Sequence, residues 1–202
     1  MIVSLAKIRQ YQIVWDVVNA MRNKSMLNVE TFCITMGKYA CAQKVDEAVY
    51  TINVMEKYDM PPNLAEFNGL LSALCKVKNV RKAQEIIDSM KQQYVPDSKT
   101  YSILLEGWGK APNLPKARQT LGEMVSAGCV PDILMYGIMV NILCKVGRVN
   151  EAVGIVEEMD STACWPTSFV YGVLVHTYGI ENRIEDAVKF LEGLELRLMW
   201  YD

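Results

Sequence analysis

"LCKVKNVRKAQEIIDSM" occupies Leu74 to Met90, and "LCKVGRVNEAVGIVEEM" occupies Leu143 to Met159. Between them, from Trp108 to Met124, stands "WGKAPNLPKARQTLGEM". The three stretches begin 34 and 35 residues apart. Self-similarity at a fixed step decides an architecture before any single element is assigned. Working outward, four columns keep the same register. An aromatic recurs at Phe32, Phe67, Tyr101, Tyr136 and Tyr171. An alanine recurs at Ala48, Ala83, Ala117, Ala152 and Ala187. Met55, Met90, Met124 and Met159 form the third column, with Leu194 in its last place. Pro62, Pro96, Pro131 and Pro166 form the fourth.

Each unit reads as two helices. In "SKTYSILLEGWGK", Tyr101, Leu104, Leu105 and Trp108 recur at helical spacing. "APN" breaks that helix, and Pro115 suits the first turn of a second one, where a missing N–H costs nothing. Ala117, Leu121 and Met124 share a face of it; Gly128 suits a left-handed stop, and Pro131 bars continuation. The repeated alanine is small enough for two helices to approach closely. One hairpin cannot bury both of its faces, so neighbours must stack. The expected fold is all-α, a right-handed α-solenoid of units 29–63, 64–97, 98–132, 133–167 and 168–202. Residues 1–28 read as a partial repeat, the second helix of an incomplete unit, because Leu5, Lys7 and Met21 align with Leu74, Lys76 and Met90. The last unit ends in an aberrant apolar tail, Leu194, Leu196, Leu198, Met199 and Trp200, so the chain reads as a portion of a longer array.

Composition sets bounds. Of 202 residues, 51% are hydrophobic, ample for a core, and the net charge is -2. That balance argues against tight non-specific nucleic-acid binding, which is mostly phosphate neutralisation, yet it leaves room for a local basic stripe. Six cysteines include no C-x-x-C, and the single histidine is His176, so no ordinary zinc site can be written. Six free thiols imply a reducing compartment. No stretch reaches the roughly 18 apolar residues of a membrane span, and "MIVSLAKIRQ" is no secretory signal.

A 35-residue helical hairpin carrying "TYS", "LCKVGRVNEA", "EEM" and a closing "PD" resembles the pentatricopeptide repeat. "MYGIMVNILCKVGRVNEAVGIVEEM" is similar to its pattern almost throughout, and the likeness covers all five units. The related tetratricopeptide repeat carries a Trp/Leu/Gly signature that is missing here. The near-uniform unit length resembles the P-type arrays of plant organellar proteins, mitochondrial ones first and plastid ones second, with no transit peptide in this chain.

That resemblance implies single-stranded RNA of an organellar transcript as the partner, one base per repeat. It implies that the residue after the aromatic and the last residue of the unit read the base. These are Cys33 with Asn63, Asn68 with Asp97, Ser102 with Asp132, Gly137 with Thr167, and Gly172 with Asp202. Asn68 with Asp97 resembles a uridine-preferring pair and Ser102 with Asp132 a guanine-preferring pair; Cys33 with Asn63 stands for adenine. Gly137 and Gly172 offer no side-chain reader, so no base is assigned to Gly137 with Thr167. The expected tract is 5′-(A)UG-3′. The residue two before each aromatic packs on the base: Ala65, Lys99, Leu134 and Phe169, with Glu30 ill-suited to it in the first unit.

Lys76, Lys110 and Lys145 recur at the ends of first helices, with Lys7 in the same slot of the partial unit. They are the expected phosphate contacts, and a cation at a helix C-terminus is the plainer reading. Cys41 and Ile180 interrupt the ladder. Cys75 and Cys144 read as core residues, and the acidic pairs Asp46–Glu47 and Glu157–Glu158 as solvated faces. No deaminase H-x-E with C-x-x-C is present. The expected function is therefore non-catalytic RNA binding, with no metal and no cofactor, in transcript protection, processing, splicing or translation. The alternative is a protein-interaction solenoid holding a peptide, or a homodimer joined through the apolar C-terminal tail.

Overall fold

The computed structural model describes residues 11–161 and 164–198. Lys7, Asp202, and the side chains of Leu194 and of the tail beyond it lie outside the described residues. Among the described residues there are eleven helices and no strand. In chain order they are α1 (Tyr11–Asn23), α2 (Val29–Cys41), α3 (Val45–Lys57), α4 (Leu64–Lys76), α5 (Val80–Met90), α6 (Ser98–Lys110), α7 (Leu114–Ser126), α8 (Ile133–Lys145), α9 (Val149–Ser161), α10 (Ser168–Ile180) and α11 (Ile184–Leu198). No helix among the described residues is long and apolar enough to cross a membrane. The chain divides into two compact units, Met1–Lys110 and Ala111–Asp202.

In the first unit α2, α4 and α6 pack in a row, each against the next, with α3 and α5 behind them and α1 against α2. The aromatic column anchors this row: Phe32 is 0% exposed and Phe67 1%. Ala48 and Ala83 are each 0% exposed, where the second helices meet the first without a side chain to hold them apart. Phe67, Leu70, Leu71 and Leu74 are buried on one side of α4, and each buried side chain of this size contributes about 1.5–3 kcal/mol. Contact between α4 and α6 is close at Gly107: a Cβ there would lie 2.7 Å from both Cys75 Sγ and Val80 Cγ2.

In the second unit α8 packs on α10, α9 backs α8, α11 backs α10, and α7 contacts α8. Pro115 sits in the first turn of α7, and the Asn113 side chain caps that helix by accepting from Lys116 N. Ala117, Ala152 and Met159 are each 0% exposed. Glu151 pairs with both Arg118 and Arg148, tying the start of α9 to α7 and to its own lead-in turn.

The turns repeat as faithfully as the core. After first helices, Lys44 N donates to Tyr39 O, Asn79 N to Leu74 O, Arg148 N to Leu143 O and Arg183 N to Tyr178 O, each at 2.9 Å. The residue before each donor is left-handed: Gln43, Lys78, Gly147 and Asn182, at φ of 62°, 65°, 73° and 57°. This is a Schellman-type stop. The methionine column closes the second helices in the same way. Met60 N donates to Met55 O and Cys129 N to Met124 O, both at 3.0 Å, with Asp59 and Gly128 left-handed. Unit 64–97 is one residue shorter, and the loop after α5 shows where: Tyr94 N donates directly to Met90 O at 2.9 Å. Tyr94 then stacks on Phe67, ring centroids 4.8 Å apart, and its hydroxyl donates to Pro62 O at 3.3 Å.

Candidate nucleic-acid interface

The first helices α4 and α10 present their second and fifth residues, Ala65 with Asn68 and Phe169 with Gly172, each pair along an open groove. In the first unit a groove of about 710 Å³ between α4 and α6 is lined by Ala65, Asn68, Ser72, Asp97, Lys99 and Ile103. In the second unit a groove of about 770 Å³ between α8 and α10 is lined by Cys144, Lys145, Phe169, Gly172, His176 and Ile180, among others. The first mixes polar and charged groups with apolar ones, whereas the second is mainly apolar with a few polar groups.

Asn68 and Asp97 come together. Asn68 Nδ2 donates to Asp97 Oδ1 at 3.3 Å, across 29 residues of chain. Thr100 completes the cluster: its Oγ1 lies 2.8 Å from Asn68 Oδ1 and 2.8 Å from Asp97 Oδ1. Its backbone N–H donates to Asp97 Oδ1 at 2.8 Å, and Asp97 N–H donates back to Thr100 Oγ1 at 3.3 Å. Burial pushes the Asp97 carboxyl up, but the hydrogen bonds from Thr100, Asn68 and its own backbone outweigh it and hold its pKa below the ordinary value. Asn68 is 7% exposed.

Asn63, Asp97 and Asp132 have a structural duty as well, because each precedes a first helix and caps it. Asn63 Oδ1 accepts from Ala65 N and Glu66 N while Glu66 accepts from Asn63 N, a full capping box. Asp132 Oδ1 accepts from Met135 N at 2.9 Å, and Asn28 Oδ1 accepts from Thr31 N at 2.9 Å. Thr167 stands at the N-cap of α10 with no side-chain bond to it. An Asn or Asp at these positions therefore has a local reason that requires no ligand.

The remaining reader positions differ. The Cys33 thiol is half-buried, and burial pushes its pKa up, aided by Glu66. Ser102 in α6 donates to Ser98 O at 3.0 Å. Gly137 is a place of close approach, since a Cβ there would meet Val170 Cγ2 at 3.3 Å and Phe169 Cδ1 at 3.9 Å. Gly172 faces open space. The packing positions Glu30, Ala65 and Lys99 are exposed, as are Leu134 and Phe169, at 52% and 55%. Lys76, Lys110 and Lys145 are the exposed last residues of α4, α6 and α8.

Among the described residues no group of His, Cys, Asp and Glu is arranged to hold a metal ion. Cys75 is buried against α6, and burial raises its thiol to about 12 despite nearby Lys110. Reading by sequence passed over Thr100; the Asp97-x-x-Thr100 spacing, a capping pattern, was the signal for it.

Residues 62–110 match the PPR repeat family, and residues 99–129 and 127–160 match the PPR repeat. A mitochondrial pentatricopeptide repeat-containing protein of Arabidopsis thaliana is 70% identical over 129 residues, 64% of this chain and 25% of the relative. The chain thus spans about a quarter of that relative's length. The maize pentatricopeptide repeat protein PPR10 is similar over 97% of this chain and 28% of its own, with a TM-score of 0.75 at 21% identity. PPR10 in complex with an 18-nt psaJ RNA element is similar over 98% of this chain and 30% of its own, with a TM-score of 0.73 at 21% identity. This likeness shows the fold, an all-α solenoid of stacked helical hairpins.

Proposed function

Because this chain belongs to the pentatricopeptide repeat family, we propose that it binds single-stranded RNA along the grooves between its first helices. It acts as a non-catalytic scaffold that takes one base per repeat. The proposed binding units are 29–63, 64–97, 98–132, 133–167 and 168–202, with 1–28 as a partial one. One observation carries the reading: Asn68 and Asp97, from the two ends of unit 64–97, are hydrogen-bonded to each other at the wall of an open groove. Amide and carboxylate groups at a groove wall supply the donors and acceptors with which a protein reads a base edge. PPR10, whose fold this chain shares, is known in complex with an RNA element.

In this reading Asn68 with Asp97 takes uridine, and Ser102 with Asp132 takes guanine. Cys33 with Asn63 takes adenine, with Cys33 the thiol counterpart of a hydroxyl. Gly137 with Thr167, and Gly172 with Asp202, occupy reader positions to which no particular base is assigned. Ala65, Lys99, Leu134 and Phe169 flank the bases, and Lys76, Lys110 and Lys145, with Lys7, meet phosphates. Its action is steric, covering a transcript in mitochondria, the compartment in the name of the Arabidopsis relative. Stacking contributes about 1–3 kcal/mol per base, and association costs about 4 kcal/mol or more. Three competent repeats therefore give weak binding.

A second reading, a peptide in place of RNA, is favoured by the apolar lining of the groove between α8 and α10, where Phe169 and Ile180 are exposed. Fluorescence anisotropy separates the two. A labelled RNA containing AUG is titrated against a shuffled oligonucleotide, from low salt upward. The RNA reading expects selective binding that weakens with salt. Equal binding of both oligonucleotides, or none, removes it.

A further inference from the structure

Thr100 is the most buried polar side chain of the Asn68 cluster, 0% exposed, and it comes from α6, the first helix of the unit after the one that carries Asn68. We propose that Thr100 is a positioning residue for the Asn68–Asp97 pair: its hydroxyl holds the Asn68 amide in one orientation, and that orientation makes the pair accept uracil and refuse cytosine. The proposal rests on the RNA-binding reading above and deepens it.

The argument is one of counting donors and acceptors. An amide presents an acceptor on one side and two N–H groups on the other, and a hydroxyl has one proton. Asn68 Oδ1 lies 2.8 Å from Thr100 Oγ1, and Asn68 Nδ2 lies 3.3 Å from Asp97 Oδ1. Turning the amide over would set Asn68 Oδ1 against Asp97 Oδ1, two acceptors with no proton between them. It would also remove the acceptor that the Thr100 hydroxyl meets. With the observed orientation, one Nδ2 proton and one lone pair of Oδ1 stay unspent, on a residue that lines the groove. A lone pair beside an N–H complements uracil, which offers N3–H beside O4. Cytosine offers the reverse, an acceptor N3 beside a donor N4. The choice between the two pyrimidines thus reduces to which way one amide faces.

The amide is held on two sides, and the two holds are unequal. The bond to Asp97 is long at 3.3 Å, whereas the Thr100 contact is 2.8 Å. Thr100 also steadies Asp97 itself, through its backbone N–H. Removing the hydroxyl leaves a buried Asn68 oxygen facing a methyl group and removes the closer of the two holds.

The test uses Thr100→Val, which keeps the shape and removes the hydroxyl, and Thr100→Ser, which keeps the hydroxyl. Binding of each to RNAs differing by uridine or cytidine at one position is measured by anisotropy. The Asn68 side-chain amide signals are followed by NMR on the free chain. Expected for Thr100→Val is a uridine-over-cytidine ratio reduced about three- to tenfold, the worth of one hydrogen bond. Displaced Asn68 amide signals should accompany it, and Thr100→Ser should restore both. Gly107→Ala, which loosens α6 without touching the cluster, should weaken uridine and cytidine RNAs alike, so a ratio that moves reports orientation and not lost stability. Asn68 amide signals unmoved in Thr100→Val overturn the proposal, whatever the RNA data show. If the parent chain binds no RNA, the function reading fails by itself, and the amide signals still decide whether Thr100 orients Asn68.

Discussion

At the scale of single residues, one side chain can close a helix end and hold a neighbour in a groove wall at once. Asp97 caps α6 through Thr100 N and also holds the Asn68 amide. A carboxylate capping a helix and an amide steadied by a carboxylate are each ordinary local chemistry; at a groove wall they also present the groups that the proposed reading assigns to a base. The double substitution Asn68→Thr with Asp97→Asn is expected to move the preference at one base from uridine toward adenine, read by anisotropy on RNAs varied at that base. An unchanged preference would remove the assignment of both residues. Asp97 also sets a pH dependence. Its folded pKa is depressed from 3.8, so its contribution to stability is complete above about pH 4 and is lost as pH falls through the lower, folded pKa. Urea unfolding of the parent and of Asp97→Asn should therefore differ at neutral pH and converge in acid.

At the scale of helices, the turns are where local strain is stored. Gln43, Lys78 and Asn182 adopt left-handed backbone where Gly147 does the same job freely. Lys78→Gly is therefore expected to raise stability by about 1 kcal/mol, the left-handed penalty of a side-chain-bearing residue, measured as a shift in the urea midpoint. Gly107 makes the opposite case. It is the point at which α6 meets Cys75 and Val80, and a Cβ has no room. Gly107→Ala gains up to about 1 kcal/mol of helix propensity and incurs about 1–3 kcal/mol of overpacking. A net loss of stability is expected from thermal unfolding, and a gain would show that α4 and α6 yield more easily than their packing suggests.

At the scale of the whole molecule, charge is the deciding quantity. A net charge of -2 supplies no general attraction for a polyanion, so in the proposed reading the lysines at the ends of α4, α6 and α8 supply it locally. For a single strand, log affinity falls against log salt by about 0.7 per phosphate contact. Removing one contact with Lys76→Ala should flatten that slope by about 0.7, with base preference unchanged. A slope that stays the same would return Lys76 to the plainer role of a cation facing a helix C-terminus.

Period and side-chain size are properties of the chain itself, and they were enough for the architecture. Phe32, Phe67 and Tyr101, Ala48, Ala83, Ala117 and Ala152, and Met55, Met124 and Met159 are buried at a fixed step along the chain, so the helical hairpins and their stacking could be read from spacing alone. Pro115 and Gly128 marked a start and a stop because their backbone preferences act within a few residues. The reader positions could be named from a resemblance, but not what each side chain does there. That Asn63 spends its oxygen on a helix cap, that Gly137 is pressed by Val170 and Phe169, and that Thr100 grips Asn68 from 32 residues away are outcomes of tertiary packing. Hydrogen bonds have direction and a fixed number of donors, so their partners depend on where the next helix comes to rest; hydrophobic burial has no direction, and the pattern of apolar residues along the chain is sufficient to announce it.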